Sequence, residues 1–224
     1  MSAIRAVLLD ALGTLVRLET PAPALRAALI ERTGVDVGLP AAEHAFSAEI
    51  AYYRAHHLEG DEQGLERLRD DCAQVMGAAL ADPALAHAQV RAAMLDALEF
   101  TPFDDVVPAL IRLRGRGLRL VVVSNWDVAL GHWLERAGLL ELLDGAVSSA
   151  QAGAAKPDPA PLRAGLALAG TTAQEAVHVG DSAEHDVEGA RAAAIRPILI
   201  RRGDKPAPPG VESITSLASL APLL

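Results

Sequence analysis

Cysteine is almost missing from this chain. Cys72 is the single cysteine among 224 residues, which excludes an intrachain disulfide and a cysteine-based metal site. Aromatic residues make up only 3% while 51% of the chain is apolar, so a core of alanine, valine and leucine is expected. Lysine is nearly as rare as cysteine: of the 20 basic residues only Lys156 and Lys205 are lysines. The net charge of −9 leaves no basic stripe to displace counterions from a phosphate backbone, and no nucleic-acid partner is expected. No apolar run reaches the roughly 18 residues a membrane span needs, so no membrane partner is expected either. The residues before Asp10 lack a signal-peptide layout, and the expectation is a soluble, cytoplasmic protein.

What is present falls into two patterns. Residues 118–123, 145–148, 176–179 and 197–200 are short apolar runs of buried-strand length, and helical periodicity fills the intervals at about 105–115, 128–138, 160–169 and 186–194. Near-continuous apolar strands alternating with helices predict an α/β fold, a Rossmann-like parallel sheet covered on both faces. Residues 18–100 read differently. They are rich in Ala, Glu, Arg and His, show no convincing strand, and carry long helical stretches at 41–57 and 62–80. Pro21 and Pro23 mark the entry and Thr101-Pro102-Phe103 the exit. The simplest organisation is a core built from residues 1–17 and 101–224, with an all-helical insertion at 18–100. Gly203 to Gly210 reads as a Pro-rich turn before a short final helix, Ile214 to Leu223.

Ligands of open parallel sheets bind beyond the carboxyl ends of the strands. Four such ends carry polar chemistry here. Asp10 closes the first apolar run and opens Asp10-Ala11-Leu12-Gly13-Thr14-Leu15; a carboxylate there can attack phosphorus in line and touch a cation, or simply cap a turn. The second strand ends in Ser124-Asn125, able to bond phosphoryl oxygens or to N-cap the next helix. Lys156 sits in Ala-Ala-Lys-Pro-Asp-Pro, a loop stiffened by Pro157 and Pro159, where an ammonium can offset the charge of a nucleophile and a phosphate. Gly180-Asp181-Ser182 follows the 176–179 strand, with Asp186 five residues on. Asp181 is placed to ligate magnesium, and Asp186 to hold the metal site or the lysine, or else to N-cap the helix at 187–194.

Taken together and in this order, these elements resemble the four motifs of the haloacid dehalogenase superfamily: Asp10–Leu15, the strand ending at Ser124, Lys156-Pro157-Asp158-Pro159, and Gly180-Asp181-Ser182 with Asp186. The insertion at 18–100 resembles that family's helical cap. The resemblance implies that Asp10 is a nucleophile forming an aspartyl-phosphate. It implies that Thr14, Ser124, Asn125 and Lys156 hold the phosphoryl group of a small phosphorylated substrate. It implies Mg2+ held by Asp10, the main-chain carbonyl of Leu12 and Asp181, with Asp186 in support.

The departure from the family's phosphatases is Leu12, where they carry a second aspartate that protonates the leaving alcohol and then activates water. Leucine has no proton to exchange, and general acid–base assistance is worth about 10²–10⁴ in rate. Slow hydrolysis of alkyl phosphates is therefore expected, with aryl and acyl phosphates affected less. Asp127 and His185 are candidate substitutes for the lost acid, as are His44, His56 and His57 of the insertion. Three other readings follow from the same position. The 2-haloacid dehalogenases carry an aromatic residue at position 12, use no metal and lack the acid corresponding to Asp181. A phosphonate-cleaving branch forms a Schiff base on a cap lysine, and residues 18–100 contain no lysine. A protein that keeps the fold as a binding or regulatory module would also tolerate Leu12.

Overall fold

The computed structural model describes residues 3–58, 60–203 and 208–224. Part of the expected turn segment, residues 204–207, lies outside the described residues, and Lys205 with it. The chain divides into two compact units, Met1–Arg17 with Thr101–Leu224, and Leu18–Phe100.

In the first unit, β1 (Ala6–Leu9) is buried along its whole length. It lies at the centre of a sheet that continues, in chain order, with β4 (Arg119–Ser124), β5 (Gly145–Ser148), β6 (Ala176–Gly180), β7 (Arg196–Ile200) and β8 (Ser213–Ile214). Two further short strands, β2 (Val16–Leu18) and β3 (Phe100–Pro102), form a separate pair. The main sheet has six strands among the described residues, in the order β5-β4-β1-β6-β7-β8, every neighbouring pair parallel. From β1 the chain runs outward through β4 and β5, then returns to the other side of β1 through β6, β7 and β8. The strand order thus reverses around β1, which opens a crevice beyond its carboxyl end. Branched and leucine side chains fill the inner strands because helices cover both faces. On one face Leu8, Val121 and Val123 pack with Leu162 and Leu166 of α8 (Ala160–Ala169).

The second unit is helical, with α1 (Pro21–Thr33), α2 (Leu39–His56), α3 (Glu62–Leu80) and α4 (His87–Asp96). Proline opens the first turns of α1 and α2, where an absent N–H costs no hydrogen bond. Asp61 caps α3 by accepting from the Gly64 amide at 2.6 Å. Leu25, Leu29, Phe46, Met76 and Met94 form its core. Among them Glu49 is also buried, and its carboxyl is pushed up by desolvation, opposed by a hydrogen bond from the Cys72 thiol. A carboxyl raised in the folded state holds its proton longer than in the unfolded chain, so the charged form opposes folding above the folded-state pKa. Glu49→Gln should therefore raise the melting temperature at neutral pH, and the gain should shrink as pH falls through the folded pKa toward 4.5. Melting curves across that range check it, and a gain independent of pH would contradict it.

Three expectations from the sequence differ from the structure. The segment 214–223 is strand β8 followed by two 3₁₀ turns, Leu217–Ser219 and Ala221–Leu223, rather than one helix. Ile214 pairs with Ile200 across the sheet edge, and Ser216 caps the next turn through Ala218, which together divert the chain from a helical path. The helix expected at 186–194 begins earlier, in a π-type turn at Ala183–Val187, and continues as Glu188–Ala192. Its N-cap is Ser182, whose Oγ accepts from the His185 amide at 3.1 Å, so Asp186 is not the cap.

Candidate active site

The parallel register fixes the site. Leu9 of β1 pairs with Val122 of β4 on one side and Val179 of β6 on the other. The residues one and two places further along the three strands therefore emerge together at the carboxyl end of the sheet. Asp10 follows β1, its amide bonding Val179 O at 2.9 Å, while Ser124 ends β4 and Asp181 follows β6. Lys156 comes from the loop before α8, preceding a cis peptide bond to Pro157.

Lys156 is the hub. The residue is 2% exposed, and its three ammonium donors reach Asp10 Oδ1 at 2.7 Å, Asp186 Oδ1 at 2.6 Å and the Val123 carbonyl at 2.8 Å. Ser124 Oγ donates to the same Asp10 oxygen at 2.9 Å. Asp10 Oδ1 thus takes both bonds, and neither goes to Oδ2. Burial raises the Asp10 carboxyl, against the pull of Lys156. Burial alone would lower the Lys156 ammonium, but the two carboxylates outweigh it and hold the lysine above its ordinary value. Asp186 is also desolvated, yet Lys156 and then His178 keep its carboxyl below the usual range.

Asp181 stands apart from this pairing. It is exposed, and no salt bridge reaches it among the described residues. Its carboxylate nevertheless sits against Gly13, and desolvation there, followed by the adjacent charges of Asp10 and Asp186, pushes it up to about 7. One oxygen from each of Asp10, Asp181 and Asp186 lies within 4.8 Å of the others. Crowded hard-oxygen donors whose mutual repulsion raises a pKa suit a small divalent cation, since its charge would relieve that repulsion. Asp186 already accepts from Lys156, from His178 Nε2 at 3.0 Å and from the Ser182 amide at 3.0 Å. Its acceptor capacity is largely committed, which leaves Asp181 and the free oxygen of Asp10 as the better donors for a metal.

Two glycines make the crowding possible. Gly13 has φ of +81°, and a Cβ there would lie 2.2 Å from Asp181 Oδ2. A Cβ at Gly180 would lie 2.1 Å from Asp186 Cγ. Any larger residue at either place would displace a carboxylate.

The remaining predicted residues are placed as follows. Leu12 is 39% exposed in the turn after Asp10, where Gly13 N bonds Val16 O at 2.8 Å. Thr14, expected to touch substrate, is wholly buried; its Oγ finds no partner among the described residues, and its carbonyl accepts from Arg202 at 2.5 Å. The side chain therefore offers no surface to a ligand. Asn125, expected to bind phosphoryl oxygen, clips the Lys156 backbone: Nδ2 donates to Lys156 O at 2.9 Å and Oδ1 accepts from Lys156 N at 2.7 Å. It positions the lysine loop. Neither Ser124 nor Asn125 caps the next helix; Asp127 does the local work, accepting from the Ala129 amide at 2.7 Å. That buried bond makes Asp127 a poor substitute for the acid missing at position 12. His44, His56 and His57 belong to the other unit.

His178 reads in the sequence as part of an apolar run. It is 1% exposed on β6 and bonds Asp186. The available signal is a histidine flanked by valines in an apolar run, eight residues before Asp186.

A family model described as haloacid dehalogenase-like hydrolase matches residues 4–194. The chain belongs to that family. The bovine haloacid dehalogenase-like hydrolase domain-containing protein 3 is 39% identical over 118 residues, covering 50% of this chain and 47% of the relative. The glyceraldehyde 3-phosphate phosphatase of Methanopyrus kandleri is 35% identical over 104 residues, 46% of this chain and 44% of the relative. The chain thus spans about half the length of the curated relatives it matches. Among solved structures, the L-2-haloacid dehalogenase of Xanthobacter autotrophicus superposes with a TM-score of 0.74 at 20% identity, covering 98% of both chains. That likeness establishes the α/β fold of this haloacid dehalogenase-like chain. Among the described residues, no helix is long and apolar enough to cross a membrane.

Proposed function

We propose that this haloacid dehalogenase-like protein hydrolyses phosphate monoesters with magnesium, through an aspartyl-phosphate on Asp10. The observation that carries the reading is Asp181. A carboxylate crowded by Asp10 and Asp186, raised to about 7 and without an ion-pair partner among the described residues, is an unfavourable arrangement unless a cation joins it. Metal-free attack on a haloacid carbon would have no use for it. The phosphatase name of the Methanopyrus relative supports a phosphorylated substrate.

In the proposed reaction, the Asp10 carboxylate attacks phosphorus, the ester P–O bond breaks and the alcohol departs with its electron pair. Water then attacks the acyl phosphate and releases inorganic phosphate, restoring the carboxylate. Ser124 Oγ and Lys156 Nζ, which converge on Asp10 Oδ1, would turn donors toward phosphoryl oxygens as charge develops there. Asp186 keeps Lys156 aimed at Asp10. Asp10, Asp181 and the Leu12 carbonyl would hold Mg2+, which when bound supplies charge neutralisation for nucleophile and phosphate. Leu12 cannot give the leaving group a proton. The reaction should therefore favour aryl and acyl phosphates, whose leaving groups need none, and should be slow on alkyl esters. We assign substrate selection to the helical unit, residues 18–100.

The test is steady-state hydrolysis of p-nitrophenyl phosphate and acetyl phosphate, with and without magnesium, beside chloride release from 2-chloropropionate. Magnesium-dependent phosphate release is the expected result. Metal-independent chloride release would replace the proposal with dehalogenation, and inactivity on all three would favour a binding role.

A further inference from the structure

The buried histidine on β6 has no part in the chemistry above, yet every polar contact it makes leads there. His178 Nε2 lies 3.0 Å from Asp186 Oδ1, the oxygen that also accepts from Lys156 at 2.6 Å. Lys156 in turn reaches Asp10 Oδ1 at 2.7 Å. Four side chains from four separate segments thus form one buried series, His178–Asp186–Lys156–Asp10. Its far end, Nδ1 of His178, is buried without a hydrogen-bond partner among the described residues. A carboxylate can only accept, so Nε2 carries the proton and the tautomer is fixed. A plain packing residue in this strand would be valine or leucine, like its neighbours. A histidine with one orphaned ring nitrogen costs stability at a position where an apolar side chain would cost none. Among the described residues, the hydrogen bond with Asp186 is the polar contact that offsets that cost.

We propose that His178 is a positioning residue for catalysis. By donating to Asp186 Oδ1 it sets the carboxylate plane, and the Ser182 amide on Oδ2 fixes the other end. Asp186 then presents Oδ1 to Lys156 in the one direction that leaves another ammonium proton aimed at Asp10. Without the imidazole donor, Asp186 can rotate toward Lys156 and draw the ammonium away from Asp10. Groups behind a site's contacting residues commonly contribute 10–100-fold to activity in this manner. The catalytic half of this inference rests on the phosphatase reading; the coupling of His178 to Lys156 does not.

The test exploits the scarcity of lysine. Because Lys156 and Lys205 are the only two lysines, lysine labelled with 15N at Nζ yields at most two side-chain ammonium signals. The buried, triply bonded Lys156 should be the one that exchanges slowly with solvent. In His178→Leu, similar in volume but without a donor, that signal should shift and exchange faster. kcat for p-nitrophenyl phosphate with magnesium should fall about 10-fold, with KM changing less. In His178→Gln, whose amide N–H reaches about as far as Nε2, both should return toward wild type. A folded His178→Leu variant with lower melting temperature but unmoved Lys156 signal and unchanged kcat would overturn the proposal, leaving a packing role only. A moved signal in a protein whose wild type hydrolyses no phosphate ester would uphold the coupling while refuting the phosphatase reading. Should the leucine variant fail to fold, the wild type still decides: a protected Nε2–H is required, and a ring protonated at Nδ1 alone would overturn the proposal.

Discussion

Asp10→Asn should reduce magnesium-dependent phosphate release by roughly 10⁴–10⁶, to the background rate, as removal of a nucleophile does elsewhere. The amide is nearly isosteric but cannot form the acyl phosphate, and its oxygen is a weaker partner for Lys156 and for a cation. The fold should survive. Lys156 would keep Asp186 and the Val123 carbonyl, and the substitution removes one of the crowded negative charges around Asp181. Steady-state assays beside a thermal melt check both halves. Retention of more than about a hundredth of wild-type turnover would remove Asp10 from the nucleophile's role.

Leu12→Asp is the counterpart, an expected gain. Hydrolysis of an alkyl phosphate should rise by about 10²–10⁴, the usual contribution of general acid–base assistance, while p-nitrophenyl phosphate should gain less in its first step. The structure allows the change at little cost, because Leu12 is 39% exposed and a solvated carboxylate replaces an apolar side chain in a turn. A second consequence concerns the wild type. Leu12 cannot activate the water that hydrolyses the acyl phosphate, so a good leaving group should release a burst of product equal to the enzyme, followed by slow turnover. Rapid-quench kinetics would show the burst in wild type and its loss in the aspartate variant. No gain on alkyl esters would mean either that another group already serves as the acid or that this step does not limit the rate.

Much of the core was legible in the sequence because parallel strands buried on both faces must be apolar along their length. Residues 118–123 and 197–200 read as strands on that ground, and β4 and β7 lie there within one residue. The same physics hides short edge elements. β8 spans only Ser213–Ile214, too few residues for any period, and β2 and β3 have three each. The three-residue spacing of Ile214, Leu217, Leu220 and Leu223 suits a helix; pairing of Ile214 with Ile200 settles the start of the segment as strand.

The site divides along a similar line. Composition and spacing alone put carboxylates after two apolar runs and singled out Lys156 by its rarity, since those are properties of the chain in one dimension. Which groups touch is a matter of contacts between distant residues, 146 apart for Lys156 and Asp10 and 114 for Ser124 and Asp10. Hence the sequence leaves Asp186 open to supporting the metal site, holding the lysine or capping a helix, and only the folded chain brings it to Lys156. Asn125 carries the groups to bind phosphate, and in the folded loop one amide N–H and the amide oxygen engage the Lys156 backbone. His178 looked like one more member of a buried strand. The sequence determined a parallel α/β core, a helical insertion and the identities of the polar residues at the strand ends, because burial and periodicity are written locally. Only the tertiary structure decided the partners of those residues, because hydrogen bonds between strands depend on sheet order, and sheet order is set by packing of the whole chain.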